Sequence, residues 1–225
     1  MNSQGLSMKS LMIWFGAAIL LAVVVIGVLL LVGSKPGQQA AAPVYPELAK
    51  VAVTDESLGN KNSKVVIMEF SDFQCPACSY YYPIVEQVIS NYSSTTQFVY
   101  RNFPLAQHAN SHIAAYAAEA AGLQGKFWDM YAQLFPNQND WADKSNIDAG
   151  KVFESYAAKI GLDLAKFKTD VVSSEVATKV QNDYQSGLDA GVDATPTFFL
   201  DGRKLDNVAD YNSLKTLIDE EIKRN

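Results

Sequence analysis

Two thiols three positions apart, in Phe73-Gln74-Cys75-Pro76-Ala77-Cys78-Ser79-Tyr80, are the only cysteines in the 225-residue chain. Such a pair has three chemical uses. As a structural staple it would close a loop of only four residues. That restrains little unfolded-chain entropy, whereas a staple gains by bridging distant segments. As half of a metal clamp it would need partners. His108-x3-His112 supplies two imidazoles, which with the thiols are ligand types of tetrahedral zinc. The 29 residues between Cys78 and His108 exceed the roughly 12–15 of a zinc finger. As a redox couple the pair would trade a disulfide with another molecule, a reaction whose nucleophile is a thiolate.

The local sequence shows how a thiolate would be favoured here. Pro76 suits the first position of a helix, where its φ is already set and no N–H is required. Cys75 then stands at the N-cap, facing unpaired N–H groups and the positive end of the helix dipole. Cysteines so placed in C-x-x-C motifs have pKa values of roughly 3.5–7.5, against about 8.5 when free. Cys75 is the outer sulfur by this geometry. Cys78, one turn further in, is expected to be more buried and to resolve a mixed disulfide.

The surrounding pattern supplies the scaffold. Ser63–Phe70 is short, β-branched and apolar, and is expected to be a buried strand. From Pro76 to Ser90 apolar residues fall at helical spacing: Tyr80, Ile84 and Val88 on one side, with Tyr81, Val85 and Ile89 beside them. Pro83 is expected to kink this helix. Thr96–Phe103 predicts a second strand. A helical block follows: a helix capped by Asn110 from Ser111 to Ala121, another piece from Lys126 to Phe135, then a loop over Asn137–Asn146. A helix from Asp148 to Ile160 is expected to stop at Gly161, a short one is capped by Asp163, and one begins at Ser173 or Ser174 and reaches about Leu188. Thr197–Leu200 returns as strand, Asp201-Gly202 signals a hairpin turn, and Arg203–Leu205 pairs back across it. A last helix spans about Tyr211–Lys223. Tyr80, Tyr81 and Tyr82 are expected to be core and rim aromatics, and Trp128 and Trp141 to pack the helical block. The order predicts an α/β fold of the thioredoxin layout, a mixed central sheet flanked by helices, with an inserted helical domain over about 105–190.

Four blocks in order carry a family resemblance. They are Glu69-Phe70-Ser71-Asp72-Phe73-Gln74-Cys75-Pro76-Ala77-Cys78, Tyr100-Arg101-Asn102-Phe103-Pro104-Leu105, Ala118–Gly122 with Gly125-Lys126-Phe127-Trp128, and Gly191–Phe199. Over about residues 55–224 the chain resembles the DsbA-like thiol:disulfide oxidoreductases. The resemblance implies that Cys75 and Cys78 form the redox-active disulfide, with Cys75 the nucleophile and Cys78 the resolving thiol. It implies a cis bond before Pro196, so that the backbone of Thr195 meets an extended substrate segment in the manner of an added strand. It also implies a buried acid at Glu69, able to relay a proton to or from Cys78. Pro76, Ala77 and Thr195 are the expected substrate contacts. The strongly oxidising relatives carry a histidine where Ala77 stands, so the strength of oxidation is the property this departure touches. No cofactor and no metal are expected.

The first residues are of another kind. Leu11–Val32 is an uncharged run of 22 residues, long enough at about 1.5 Å per residue to span a hydrocarbon core of about 30 Å. The expected organisation is a tail over 1–10, a transmembrane signal anchor over 11–32, a flexible linker over 33–54 and the redox domain over 55–225. Ala40, Ala41 and Ala42 offer a cleavage site as the alternative to a retained anchor. Lys9 before the span and Lys35 after it lean slightly to a cytoplasmic N-terminus, which places the domain where disulfides persist. Residues 42–225 hold 16 basic and 24 acidic side chains, no electrostatic footprint for nucleic acid. The expected function is an oxidase at the cell membrane that introduces disulfides into reduced exported polypeptides, with a membrane redox partner, implied by the resemblance, that reoxidises the dithiol. A reductase or isomerase on the same fold and a non-catalytic tethered binding module are the rivals.

Overall fold

The computed structural model describes residues 43–206 and 208–225, together with Met12, Trp14, Ile19, Leu20, Leu21 and Val25. The chain forms two units, 1–42 and 43–225. The six singly described residues are helical with exposed side chains. The rest of the expected span lies outside the described residues, among which no helix is long and apolar enough to cross a membrane.

The second unit is built on a five-stranded sheet of β1 (Glu56–Gly59), β2 (Val66–Ser71), β3 (Gln97–Asn102), β4 (Thr197–Leu200) and β5 (Arg203–Lys204), in the order β1-β3-β2-β4-β5. β2 and β3 are parallel, with α1 (Pro76–Tyr92) as the crossover between them, and the remaining pairings are antiparallel. The β4–β5 turn places Asp201 at φ 48° and Gly202 at φ 75°, the two positive φ values that a tight hairpin turn requires. Gly202 is also constrained by space, since a Cβ there would stand 2.2 Å from the Tyr45 carbonyl oxygen.

Both faces of β2 are buried, which is why it reads as a continuous apolar run. Alternation divides its residues between two cores. Ile67, Phe98, Tyr100, Phe198 and Leu200 pack with Cys78, Val85 and Val88 of α1 and with Leu214 and Ile218 of α7 (Tyr211–Arg224). Val66, Met68, Phe70, Val99 and Phe199 pack on the other face with Leu48, Phe103, Ala190 and Val192.

Two departures from the sequence reading concern the first residues of this unit. β1 was not expected, because Glu56-Ser57-Leu58-Gly59 is short and mostly polar; it is an edge strand whose Leu58 faces Phe98. The linker expected over 33–54 is too long. Val44 bridges to Arg203, Tyr45 N–H donates to Gly202 O at 2.8 Å, Pro46–Ala49 forms a 3-10 turn, and Leu48 is fully buried. Ordered packing therefore begins at Val44, drawn in by the Leu48 side chain.

Between β3 and β4 lie α2 (Ser111–Gly122), α3 (Phe127–Leu134), α4 (Asn146–Lys159), α5 (Leu164–Asp170) and α6 (Ser174–Asp189). Ser145 accepts from Asp148 N–H, Asp163 from Ala165 and Lys166 N–H, and Ser173 from Val176 N–H. Capping by Ser145 starts α4 two residues before the expected Asp148. α1 continues unbroken through Pro83, which is solvent-exposed.

A buried polar cluster ties this block to the sheet. Asn102 donates through Nδ2 to Glu119 Oε1 at 2.6 Å and to Asp183 Oδ2 at 3.0 Å. Lys179 Nζ lies 2.6 Å from Asp183 and 3.7 Å from Glu119, and Arg101 makes two hydrogen bonds of 3.0 Å to Asp55. A cavity of about 800 Å³ opens over this cluster, and none of its lining residues belongs to the thiol loop. Burial, only partly offset by Lys179, pushes the Glu119 carboxyl up to about 8 from an ordinary 4.5. Between those values the folded chain holds a proton that the unfolded chain releases, so this group's contribution to stability falls as pH rises through that window. Glu119→Gln, which has no proton to release, is expected to remove roughly 1–3 kcal/mol of stability loss between about pH 6 and pH 8. Urea unfolding of both proteins at the two pH values measures it, and equal losses would show that Glu119 is ionised in the folded chain.

Candidate active site

β2 delivers the chain to the thiols. After Ser71 the segment Asp72–Gln74 turns, with Cys75 N–H donating to Asp72 O at 3.0 Å, and α1 begins at Pro76. Cys75 is the N-cap residue in an extended conformation (φ −69°, ψ 123°). Cys75 is 7% exposed and Cys78 1%, both as free thiols, while Pro76 and Ala77 between them are exposed. The outer and inner sulfurs are thus arranged as the helix geometry predicts.

Their acidities are driven apart. Cys75 is lowered to about 5. The largest cause is the hydrogen bond from the Cys78 thiol; burial opposes it, and the Thr195 hydroxyl and the N–H groups of Cys78 and Ala77 add to it. The helix N-terminus expected to dominate therefore contributes less than the neighbouring sulfur. Cys78 is pushed well above its ordinary value, first by burial, then by its contact with Cys75 and by the charge of Glu69. One sulfur is ionised at neutral pH and the other holds its proton.

The Thr195–Pro196 bond is cis. Thr195 lies beside the thiols: in its protonated form Cys75 Sγ donates to Thr195 O at 3.4 Å. Thr195 Oγ1 is buried without a hydrogen-bond partner among the described residues.

Glu69 is 2% exposed and stands beside Tyr100 in the parallel register of β2 and β3, on the face that carries Cys78. Burial raises its pKa to about 7. Glu69 Oε2, Ser71 Oγ and Tyr100 OH are all buried without a hydrogen-bond partner among the described residues.

Asp72, Gln74 and Gln138 carry no periodicity and were given no role by the sequence reading, and His108 and Asn110 take roles other than those it weighed. Asp72, fully buried through its side chain, has His108 Nδ1 2.6 Å from its Oδ2. Gln74 accepts from Asn110 N–H at 2.6 Å and donates to Ala142 O at 2.7 Å. Gln138 donates to Phe73 O at 2.8 Å and Cys75 O at 3.1 Å. Asn110 stands at the N-cap of α2 but makes no capping bond; its amide donates to Trp141, Ala142 and Lys144 carbonyls instead. Beneath the loop Phe73 stacks on Tyr100 (5.0 Å between centroids) and packs on Phe135 (4.9 Å), pairs worth about 0.5–1.5 kcal/mol each beyond burial. The only sequence signal for the loop contacts was that Asp72 and Gln74 sit inside the block around the cysteines.

The zinc arrangement is not assembled: His108 is on Asp72, His112 lies edge-on to Tyr116, and among the described residues no group of three or more His, Cys, Asp or Glu side chains could hold a metal. Trp141 is fully buried against Phe153 and Trp128 packs on Phe98, both within the helical block and its join to the sheet. Tyr80 is 66% exposed at the rim.

The family model described as thioredoxin matches residues 51–220. Among solved structures the chain is similar to oxidised BdbD from Bacillus subtilis (23% identity, 81% of this chain and 99% of that one, TM-score 0.67). It is also similar to α-DsbA1 from Wolbachia pipientis (19% identity, 80% and 96%, TM-score 0.69). At those identities the likeness is one of fold. A curated relative, the Na(+)/H(+) antiporter NhaA 1 of Mycolicibacterium vanbaalenii, is 34% identical over 171 residues, 74% of this chain and 25% of that protein. The chain thus spans about a quarter of the length of the curated relative it matches.

Cys78→Ala removes the largest support for the Cys75 anion. Its thiolate absorbance is expected to titrate roughly one to two pH units above the wild-type midpoint near 5. An unmoved midpoint would assign the depression to Thr195 and the helix N–H groups alone.

Proposed function

The chain belongs to the thioredoxin family, and from that premise we propose that it is a thiol–disulfide oxidoreductase of the DsbA type, working as an oxidase on reduced polypeptides outside the cytoplasm. The observation that carries this reading is the split between the sulfurs. A Cys75 anion held near pH 5 stabilises the dithiol state, and a couple whose reduced form is stabilised is a strong oxidant. Ala77 supplies no imidazole for this purpose; the Cys78 thiol, the Thr195 hydroxyl and two helix N–H groups take that part.

In the oxidised protein a substrate thiolate attacks Cys75 Sγ. The Cys75–Cys78 bond breaks and its electron pair goes to Cys78, which is protonated from Glu69, the buried acid with a pKa near 7. The substrate's second thiolate attacks the substrate sulfur of the mixed disulfide, and Cys75 leaves as a stable anion. Two electrons pass from the substrate's two thiols to the protein, and the substrate departs as a disulfide. Thr195 O, 3.4 Å from Cys75 Sγ, is main-chain and reads no side chain, so any extended segment can lie along it.

The proposed setting is a single-pass anchor over 11–32 with the N-terminus cytoplasmic, and a membrane redox partner that reoxidises the dithiol. The uncharged run Leu11–Val32 and the acidic, thiol-poor remainder support it. The ion transport named for the antiporter relatives is not proposed for this chain.

Equilibration with glutathione is expected to give a potential above about −180 mV, towards the oxidising end of the biological range near −120 mV. Wild type is expected to speed disulfide formation in a reduced, unfolded substrate, and Cys75→Ser to abolish it. A potential near −270 mV, where thioredoxin sits, would make the protein a reductase, and full activity of Cys75→Ser would end the catalytic reading.

A further inference from the structure

Asp72 touches both cysteines through its backbone, Cys78 at the sulfur and Cys75 at the N–H. Its carbonyl accepts Cys75 N–H at 3.0 Å, and its own N–H donates to Cys78 Sγ at 3.5 Å. That N–H has two anchors: Phe103 N–H on Ser71 O, the other end of the same peptide, at 2.8 Å, and the Asp72 carboxylate. Oδ1 accepts Gln74 N–H at 2.8 Å, closing a local turn of the kind Asp side chains make two residues on. Oδ2 is held from outside the loop, by Leu105 N–H at 3.0 Å and by His108 Nδ1 at 2.6 Å. The Asp72 side chain has no solvent exposure, so it depends on these donors. His108 is the one side chain among them, and it comes from the segment that opens the helical insertion.

We propose that His108, acting through the Asp72 carboxylate, is a positioning residue for disulfide exchange: it keeps the Asp72 N–H aimed at Cys78 Sγ and so eases departure of that sulfur. The proposal rests on the oxidoreductase reading and deepens it. When a thiolate forms its bond to Cys75 Sγ, the Cys75–Cys78 bond breaks and the electron pair lands on Cys78. The attacking sulfur is oxidised and Cys78 is reduced. The charge appears at a sulfur that is 1% exposed, where water gives no help and a fixed donor counts most. A leaving thiolate that is better stabilised leaves faster. Without the imidazole, Oδ2 retains only Leu105 N–H, and the aim of the Asp72 N–H loosens although the Ser71–Phe103 backbone bond remains.

The test uses the full chain in its oxidised form and excess dithiothreitol as the attacking thiol, with quenched alkylation reading the release of Cys78. His108→Leu is expected to slow release about five-fold, and Asp72→Asn, which keeps the side-chain shape, to act in the same direction. His108→Gln, which retains an N–H to offer Asp72, is expected to recover most of the rate. The thiolate absorbance of Cys75 is expected to titrate at the wild-type midpoint in all three. Wild-type release from His108→Leu would overturn the proposal, as would a loss that His108→Gln fails to restore or a Cys75 midpoint displaced along with the rate. A wild type that does not exchange with dithiothreitol at all would sink the oxidoreductase reading and this inference together.

Discussion

Two sulfurs that share a buried pocket cannot both be anions, and the rest of the site follows from that constraint. The charge settles on the outer sulfur because the inner one can donate to it, and the inner one keeps its proton because burial and the neighbouring anion leave it no alternative. The two cysteines are chemically identical, and their opposite behaviour comes from one helical turn of depth. The helix N-terminus, Thr195 and Glu69 then act on a difference that already exists: two of them support the anion at Cys75, and the third lies where a proton for Cys78 is wanted.

The sheet exists in a form that makes this arrangement rigid. β2 is buried on both faces and ends at the turn before the thiols, β4 begins just after Pro196, and the two pair antiparallel through Phe70 and Thr197. The nucleophile and the backbone that faces it are therefore held by the same ladder. Phe73 then fastens the underside of the loop into an aromatic cluster shared with α3.

What the sequence made legible was whatever depends on spacing and on a few special residue types. The apolar runs of β2 and β3, the helix after Pro76, the Asp201-Gly202 hairpin and the C-x-x-C pair are local signals, and the structure has them where the pattern placed them. The cis bond before Pro196 and the proton-relay role of Glu69 were legible only through the family resemblance, while the burial of Glu69 follows from its place in the apolar run Ser63–Phe70. β1 was missed because four largely polar residues at a sheet edge have no periodicity, and the order around Leu48 because a single apolar residue sets no pattern. Asp72, His108, Gln74 and Gln138 were missed for a different reason. Their roles come from contacts between segments about 35 to 65 residues apart, and a polar side chain gives no sign in sequence of which distant carbonyl or ring it will meet. For the same reason His108 drew notice only as half of a zinc arrangement that its spacing disfavours, and Asn110 was read as a cap.

The hydrogen bonds that fix the thiol loop are drawn mostly from the helical insertion: His108 and Leu105 on Asp72, Asn110 on Gln74, Gln138 on Phe73 and Cys75. The insertion is thus a wall of the reaction chamber, and the minimal βαβ–ββα frame by itself lacks one side. Transplanting Phe73–Ser79 into another scaffold of the same topology would carry the sulfurs across and leave their tuning behind.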